Sequence, residues 1–217
     1  MKLFIDSGNI KDIEALVAIG IIDGVTTNPT LLAKEPGDYR ENLKKICQIV
    51  KGPVSGEVTA TDVAGMLQQG HDIAKIDQHM IVKVPLTRAG IQSCKTLSGE
   101  GIRVNVTLCF SAAQALLAAK AGATYISPFV GRLDDVGTNG MELIREIVDI
   151  YNNYDFTTEV LVASCRHPIH IIEAARMGAD IATCPPAVID QLFNHPLTSI
   201  GLEKFLKDWA TSQAVKA

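Results

Sequence analysis

Met80-Ile81-Val82-Lys83-Val84-Pro85-Leu86 is a short, almost wholly apolar run with one lysine at its centre. Apolar residues without polar alternation read as a strand buried on both faces, as in a parallel sheet covered by helices. A lysine in such a strand is expensive, because its ammonium loses hydration. Burial favours the neutral amine, which is the form a Schiff-base nucleophile needs. The other twelve lysines lie in polar, helix-like or terminal surroundings. The alternative is an edge-strand lysine whose head reaches solvent. The run alone does not choose between them; the residues around it do.

Working outward, the same strand–helix alternation fills the chain. Upstream, Met1 to Asp6 reads as a strand and Asn9 to Ile19 as a helix, with Ile10, Ile13, Leu16 and Val17 at helical spacing. Gly24 to Pro29 is a short strand broken by proline, Tyr39 to Val50 a helix, and Pro53 to Val58 the third strand. Thr61 opens a helix to about Ile76, before the Lys83 strand. Downstream, Thr87 caps a helix that stops near Gly99, and Ile102 to Thr107 is the fifth strand. A Ser111-capped helix closes at Gly122, and Ala123 to Pro128 is the sixth strand. Val130 to Gly140 reads as a loop, Met141 to Tyr151 as a helix and Glu159 to Ser164 as the seventh strand. Pro168 to Met177 is a helix ending at Gly178, Ala179 to Cys184 the eighth strand, and Pro186 starts another helix. Glu100-Gly101-Ile102-Arg103, Ala121-Gly122-Ala123-Thr124 and Met177-Gly178-Ala179-Asp180 share one punctuation, a glycine just past a helix leading into a strand.

Eight such units in 217 residues predict right-handed crossovers and a compact (β/α)8 barrel occupying residues 1–217 as one domain. A doubly wound sheet is the rival, but no GxGxxG follows the first strand. A further helix, Leu202 to about Ser212, carries Leu202, Phe205, Leu206 and Trp209; it either closes the barrel base or packs on a neighbouring subunit. Hydrophobic residues make up 47%, enough for one sizeable core, and the net charge of −4 argues against a nucleic-acid or membrane-surface partner. No stretch has the roughly 18 consecutive apolar residues of a membrane span, and the N-terminus runs straight into a strand. Cys47, Cys94, Cys109, Cys165 and Cys184 are scattered, odd in number and without a CxxC pair, which suits reduced thiols and a cytoplasmic location.

Strand alternation then sorts the polar residues. Ile81, Lys83 and Pro85 share the face directed into the barrel, with Phe4 and Asp6, Thr26 and Asn28, Ser55 and Glu57, Asn105 and Thr107, Tyr125 and Ser127, and Val162 and Ser164 from the other strands. Nearly all the polar ones fall toward the C-terminal strand ends, where barrels carry active sites. One such residue is ordinarily a satisfied core polar group; seven strands contributing to one layer point to a site. A lysine amine attacks a ketone to give a carbinolamine and then an iminium ion. Glu57 can shuttle the protons through water. Asp6 is placed to take a hydroxyl proton as a carbon–carbon bond breaks, and Asn28 and Asn105 can hold sugar hydroxyls. Arg132 and Arg166 follow the sixth and seventh strands, a usual barrel location for phosphate, although a lone arginine there is ordinarily a surface ion pair.

These residues resemble the transaldolase family, in the short-chain subfamily shared with fructose-6-phosphate aldolase, essentially end to end. The motifs are Phe4-Ile5-Asp6-Ser7, Gly24-Val25-Thr26-Thr27-Asn28-Pro29-Thr30, Ile81-Val82-Lys83-Val84-Pro85, Val104-Asn105-Val106-Thr107, Ile126-Ser127-Pro128-Phe129-Val130-Gly131-Arg132 and Ala163-Ser164. The resemblance implies a class I aldolase barrel, circularly permuted relative to other members, with Lys83 forming the Schiff base and neither metal nor other cofactor. It implies Asp6 as the acid/base at bond cleavage, and Glu57 with Thr107 as the pair that activates and positions the catalytic water. Thr26 belongs to the substrate-binding set. Asn28, Asn105 and Ser127 would contact the dihydroxyacetone unit, and Arg132, Ser164 and Arg166 the phosphate. It further implies sugar-phosphate substrates, the non-oxidative pentose phosphate pathway, and ring assemblies of five or ten subunits with the last helix reaching a neighbour.

Two positions separate the activities within that family. The aldolase branch resembles this chain but has glutamine in place of Glu57 and tyrosine in place of Phe129. A tyrosine hydroxyl near the iminium can help protonate the enamine and release free dihydroxyacetone; phenylalanine cannot, so the enamine waits for an aldehyde acceptor. Asn105 and Arg166 also suit the transaldolase pattern. The expected reaction is therefore sedoheptulose 7-phosphate plus glyceraldehyde 3-phosphate giving erythrose 4-phosphate plus fructose 6-phosphate, with the aldolase as alternative. A metal site at Cys165, His167 and His170 is a weaker reading, because Pro168 and Ile169 look like a helix start. A non-catalytic phosphate-binding barrel would not need a carboxylate and a buried lysine together. Asn105-Val106-Thr107 spells a glycosylation sequon but lies within a strand.

Overall fold

The computed structural model describes residues 1–216. The chain begins β1 (Lys2–Asp6), α1 (Ile10–Val17), β2 (Gly24–Thr26), the short α2 (Pro29–Leu32), α3 (Tyr39–Val50), β3 (Val54–Glu57), α4 (Val63–Ala74) and β4 (Met80–Pro85). It continues α5 (Arg88–Gly99), β5 (Val104–Cys109), α6 (Ala112–Ala121), β6 (Tyr125–Pro128), α7 (Val130–Asp134) and α8 (Gly140–Asn153). It ends β7 (Glu159–Val162), α9 (Pro168–Met177), β8 (Ile181–Cys184), α10 (Pro186–Gln191) and α11 (Pro196–Lys216). Strands pair in parallel in sequence order and β8 returns to β1, so the sheet closes into the expected (β/α)8 barrel.

Local signals account for most boundaries. Asn9, Asp38, Thr87 and Ser111 each accept a hydrogen bond from the first turn of the helix they open. Gly122 and Gly178 close α6 and α9 with φ of 85° and 84°, where a side chain would be strained. Helix α4 starts later than expected: Asp62, not Thr61, caps it, with its carboxylate on Gly65 N. The expected loop from Val130 contains α7, which has no side-chain cap and is held by contacts from α9 that no local pattern announces. Strand β5 runs to Cys109, its pairing with β6 shifted by a bulge at Leu108, where φ is 60°.

Two apolar layers follow. Outside the sheet, Ile5, Val25, Val54, Val82, Val84, Val106 and Ile126 pack against the helices. Inside, Phe4, Ile81, Tyr125, Leu161, Ala163 and Ile181 form a small plug, with the Phe4 and Tyr125 rings edge to face at 6.2 Å. This corrects one register. In β7, Leu161 faces the barrel interior and Val162 the helices, and Ala163, just past the strand, again faces inward. Ser164 therefore reaches the mouth by another route: the strand has ended, and its left-handed φ of 60° turns the chain.

Helix α11 does not close the barrel base. Leu197, Ile200, Phe205, Leu206 and Trp209 are all exposed in the single chain, Trp209 by 66%. Among the described residues, no helix is long and apolar enough to cross a membrane. All five cysteines are buried and free.

Candidate active site

The plug of Phe4, Ile81, Tyr125, Leu161, Ala163 and Ile181 floors the barrel, and one layer above it the side chains turn polar. The pairing register sets them side by side: Asp6 opposite Thr26, Glu57 opposite Lys83, Lys83 opposite Asn105. Lys83 is 4% exposed. Its Nζ stands 3.0 Å from Glu57 Oε2 and donates to the Thr27 carbonyl at 3.1 Å. The lysine is thus an internal one, not an edge-strand lysine reaching solvent, and burial does not act on it alone. A carboxylate lies at hydrogen-bond distance and can take the proton that the amine must lose before it attacks.

Asp6 accepts from Thr26 Oγ1 at 2.7 Å, and Thr26 Oγ1 also meets Thr183 Oγ1 at 2.7 Å. Burial pushes the Asp6 carboxyl above the ordinary aspartate range; the Thr26 hydrogen bond and the Lys83 charge offset that only in part. Asn105 is fully buried, donating from Nδ2 to Ser55 Oγ at 3.3 Å and accepting from Ser127 Oγ at 2.8 Å. Thr107 Oγ1 is buried and has no hydrogen-bond partner among the described residues. Asn28 caps α2 through Oδ1, which leaves its amide N–H groups to donate elsewhere.

Two adjoining cavities open at this layer and share Asn28, Lys83, Phe129 and Arg132. The inner one, about 120 Å³, is lined by Asp6, Thr26, Ser127, Ser164 and Thr183 besides those four. The outer one, about 300 Å³, adds Glu57 and Thr107. Arg132 lies over the Phe129 ring at 5.5 Å and has no carboxylate partner among the described residues. Arg166 stands apart, forming a two-pronged ion pair with Asp135 (Nη1–Oδ1 2.9 Å, Nη2–Oδ2 2.6 Å). Lys83, Asp6, Glu57, Thr107, Thr26, Asn28, Ser127, Phe129, Arg132 and Ser164 are therefore brought together at the cavities. Asn105 lies buried against Ser55 and Ser127, and Arg166 outside. Sequence reasoning missed Thr183; a lone threonine in Ile181-Ala182-Thr183-Cys184, at the position alternating with Ile181, was the available signal.

Cys165, His167 and His170 do not assemble as a metal cage. Cys165 bonds the Val162 carbonyl at 3.6 Å, His170 is engaged by Asp134, and no suitable cluster of three such ligands occurs among the described residues.

A closed barrel with an internal lysine–carboxylate pair and a hydroxyl-rich mouth defines a (β/α)8 protein whose candidate site lies at the C-terminal ends of its strands. Residues 3–216 match the sequence profile of the family described as Transaldolase/Fructose-6-phosphate aldolase. A probable transaldolase of Caldicellulosiruptor saccharolyticus is 59% identical over 210 residues, covering 96% of this chain and 97% of the relative. Probable transaldolases of Anaeromyxobacter dehalogenans (58%, 96% of each chain) and Methanococcus maripaludis (57%, 96% and 97%) are similarly related, each over 209 residues. The chain belongs to the transaldolase/fructose-6-phosphate aldolase family and is an enzyme of that type.

Proposed function

We propose that the protein is a transaldolase, moving a dihydroxyacetone unit between sugar phosphates through a Schiff base on Lys83. The observation that carries this reading is the 3.0 Å approach of Lys83 Nζ to Glu57 Oε2 at the barrel mouth, with Asp6 lining the same cavity as Lys83. Lys83 hands a proton to Glu57 and its free amine attacks the ketose carbonyl, giving a carbinolamine. Protonation of the carbinolamine oxygen expels water and leaves the iminium. Asp6 takes the proton of the hydroxyl on the far carbon of the bond that breaks, C4 of the ketose where C3–C4 is cleaved; the C–C electron pair flows to the iminium, C4 leaves as the aldehyde, and an enamine remains. The enamine attacks the acceptor aldehyde, Asp6 returns the proton, and water restored through Glu57 and Thr107 hydrolyses the new iminium. The unpartnered hydroxyl of Thr107 beside Glu57 at the outer cavity suits the water-positioning part.

Asn28, Thr26, Asn105 and Ser127 orient the dihydroxyacetone unit, the buried Asn105 acting through Ser127. Arg132 and Ser164 receive phosphate, with Arg166 joining on release from Asp135. Glu57 and Phe129 support transfer over release of free dihydroxyacetone, since no tyrosine hydroxyl stands at position 129 to protonate the enamine. The substrates are sedoheptulose 7-phosphate and glyceraldehyde 3-phosphate, the setting the non-oxidative pentose phosphate pathway of the cytoplasm, and the chemistry needs no metal or other cofactor. Residues 1–217 act as one domain, and the exposed apolar side chains of α11 are covered by a neighbouring copy in a homo-oligomer.

The deciding assay follows glyceraldehyde 3-phosphate formed from fructose 6-phosphate, with and without erythrose 4-phosphate. Turnover only with the acceptor supports the transaldolase; comparable turnover without it assigns the aldolase. Silence in both, with no mass added to Lys83 by borohydride in the presence of fructose 6-phosphate, rejects the Schiff-base reading.

A further inference from the structure

Two segments at the barrel mouth carry the groups proposed to meet phosphate: residues 129–135, which include α7 and Arg132, and the loop of residues 163–167 with Ser164 and Arg166. They are laced together. Val130 N donates to Ala163 O at 3.1 Å and Gly131 N to Ser164 O at 3.2 Å. The Arg166 side chain crosses Gly131 so closely that a Cβ there would lie 2.7 Å from Nε.

His170, at 4% exposure on α9, sits behind this joint. Its Nδ1 lies 3.2 Å from the Arg166 backbone N–H, which can only donate, so Nδ1 is the acceptor and carries no hydrogen. Nε2 therefore holds the hydrogen and donates to Asp134 Oδ2 at 2.9 Å, while Asp134 Oδ1 accepts from Gly140 N at 2.9 Å. One neutral imidazole thus bridges the backbone of Arg166, just beyond Ser164, to Asp134 at the end of α7, just beyond Arg132.

We propose that His170 is a positioning residue for anion recognition: neutral and protonated on Nε2, it holds α7 and the loop after β7 in the register in which Arg132 and Ser164 meet the substrate's phosphate. The inference rests on the sugar-phosphate reading above. Protonating Nδ1 turns the acceptor into a donor aimed at another donor, so the Arg166 bond breaks and the loop is released. The charged and titratable groups facing His170 are Asp134 from α7, His167 stacked on it at 3.8 Å, Glu173 from its own helix, and Arg166. Burial first, then His167, lower its pKa below 6.5, and Asp134 and Glu173 offset this only in part. The sign follows: the bridge is intact above about pH 6.5 and is lost as pH falls through the lower folded value. Asp134 neutralises the new charge, so the gain in positive potential does not compensate for the lost register.

Sulfate is the probe, because it stays dianionic over this range whereas a phosphate ester titrates. Its competitive inhibition of fructose 6-phosphate turnover should be constant above about pH 6.5 and weaken about fivefold or more as pH is lowered through the folded value of His170. His170→Asn keeps an acceptor oxygen where Nδ1 stood but does not titrate, so its sulfate inhibition should change less than about twofold over the same fall in pH, with kcat keeping the wild-type profile. A flat wild-type profile, tighter inhibition in acid, or an unchanged slope in His170→Asn overturns the proposal; the wild-type profile decides even if the variant does not fold. Arg132→Leu separates the two readings. If sulfate still inhibits it, the anion site itself is misassigned; if inhibition is lost while the wild-type profile is flat, only the role of His170 falls.

Discussion

Glu57 and Lys83 are directly opposite one another on β3 and β4, and their side chains meet at 3.0 Å on the inner face of the barrel. An internal charge pair of this kind is weak evidence for stability, since desolvation offsets most of the attraction. On the Schiff-base mechanism proposed above, the contact serves chemistry, which needs the amine and a proton acceptor side by side.

Glu57→Gln keeps the shape of the contact but removes the acceptor. Steady-state kinetics should show kcat falling by about 10²–10⁴-fold with KM changed much less, the usual loss for a positioned acid/base. A loss confined to KM would mean that Glu57 only binds substrate.

Asp6→Asn tests the second carboxylate. Its raised pKa means that stability linked to it is present at low pH and is lost as pH rises through the folded value, so at neutral pH the ionised group weighs against folding. The variant should melt about 2–4 °C higher at pH 7, equivalent to about 1 kcal/mol, while turnover falls by about 10²–10⁴-fold. Activity that needs ionised Asp6 is lost as pH falls through the same raised value. Thr26→Val removes the hydrogen bond that lowers it, so the acid limb of the kcat profile should move to higher pH. A limb that stays in place would assign it to another group.

Phe129→Tyr adds a hydroxyl at a ring that lines both cavities beside Lys83. Release of glyceraldehyde 3-phosphate from fructose 6-phosphate without any acceptor should rise by about tenfold or more, the scale expected of one added proton donor. No rise would show that residue 129 does not govern the fate of the enamine.

Gly131→Ala forces α7 and the loop after β7 apart, because its Cβ would overlap the Ser164 carbonyl and crowd Arg166. Thermal unfolding should report a loss of about 1–3 kcal/mol. KM for fructose 6-phosphate should rise more than KM for unphosphorylated fructose; an equal rise in both would remove the link to phosphate.

Helix α11 offers a test by mass. Phe205 and Trp209 are 70% and 66% exposed in the single chain. Phe205→Glu should convert a larger species to the monomer by size-exclusion chromatography with light scattering, and Trp209 emission should shift to longer wavelength. A wild-type monomer in that measurement would refute the oligomer.

Much of the fold and of the site is legible in the amino-acid sequence, for identifiable reasons. Helix caps and glycine stops are local, so Thr87, Ser111, Gly122 and Gly178 announce their elements. Buried strands expose any polar residue as an anomaly, so Lys83, Asp6 and Glu57 stand out, and period-two alternation places them on the inner face. That alternation holds only while a strand lasts. It fails at the end of β7, where Leu161 and then Ala163 beyond the strand face inward and a left-handed Ser164 turns into the mouth. It is equally blind to the bulge at Leu108.

The amino-acid sequence by itself determined the eight units, the closed barrel they imply and the residue types of the candidate site, because propensity, capping and burial act over a few neighbouring residues. Only the tertiary structure decided which partners those residues take: Glu57 for Lys83, Thr183 for Thr26, Asp135 for Arg166, and Asp134 with the Arg166 backbone for His170. These contacts join groups from separate strands and loops. Their geometry is set by barrel closure and loop packing, and neither leaves a periodic trace in the chain.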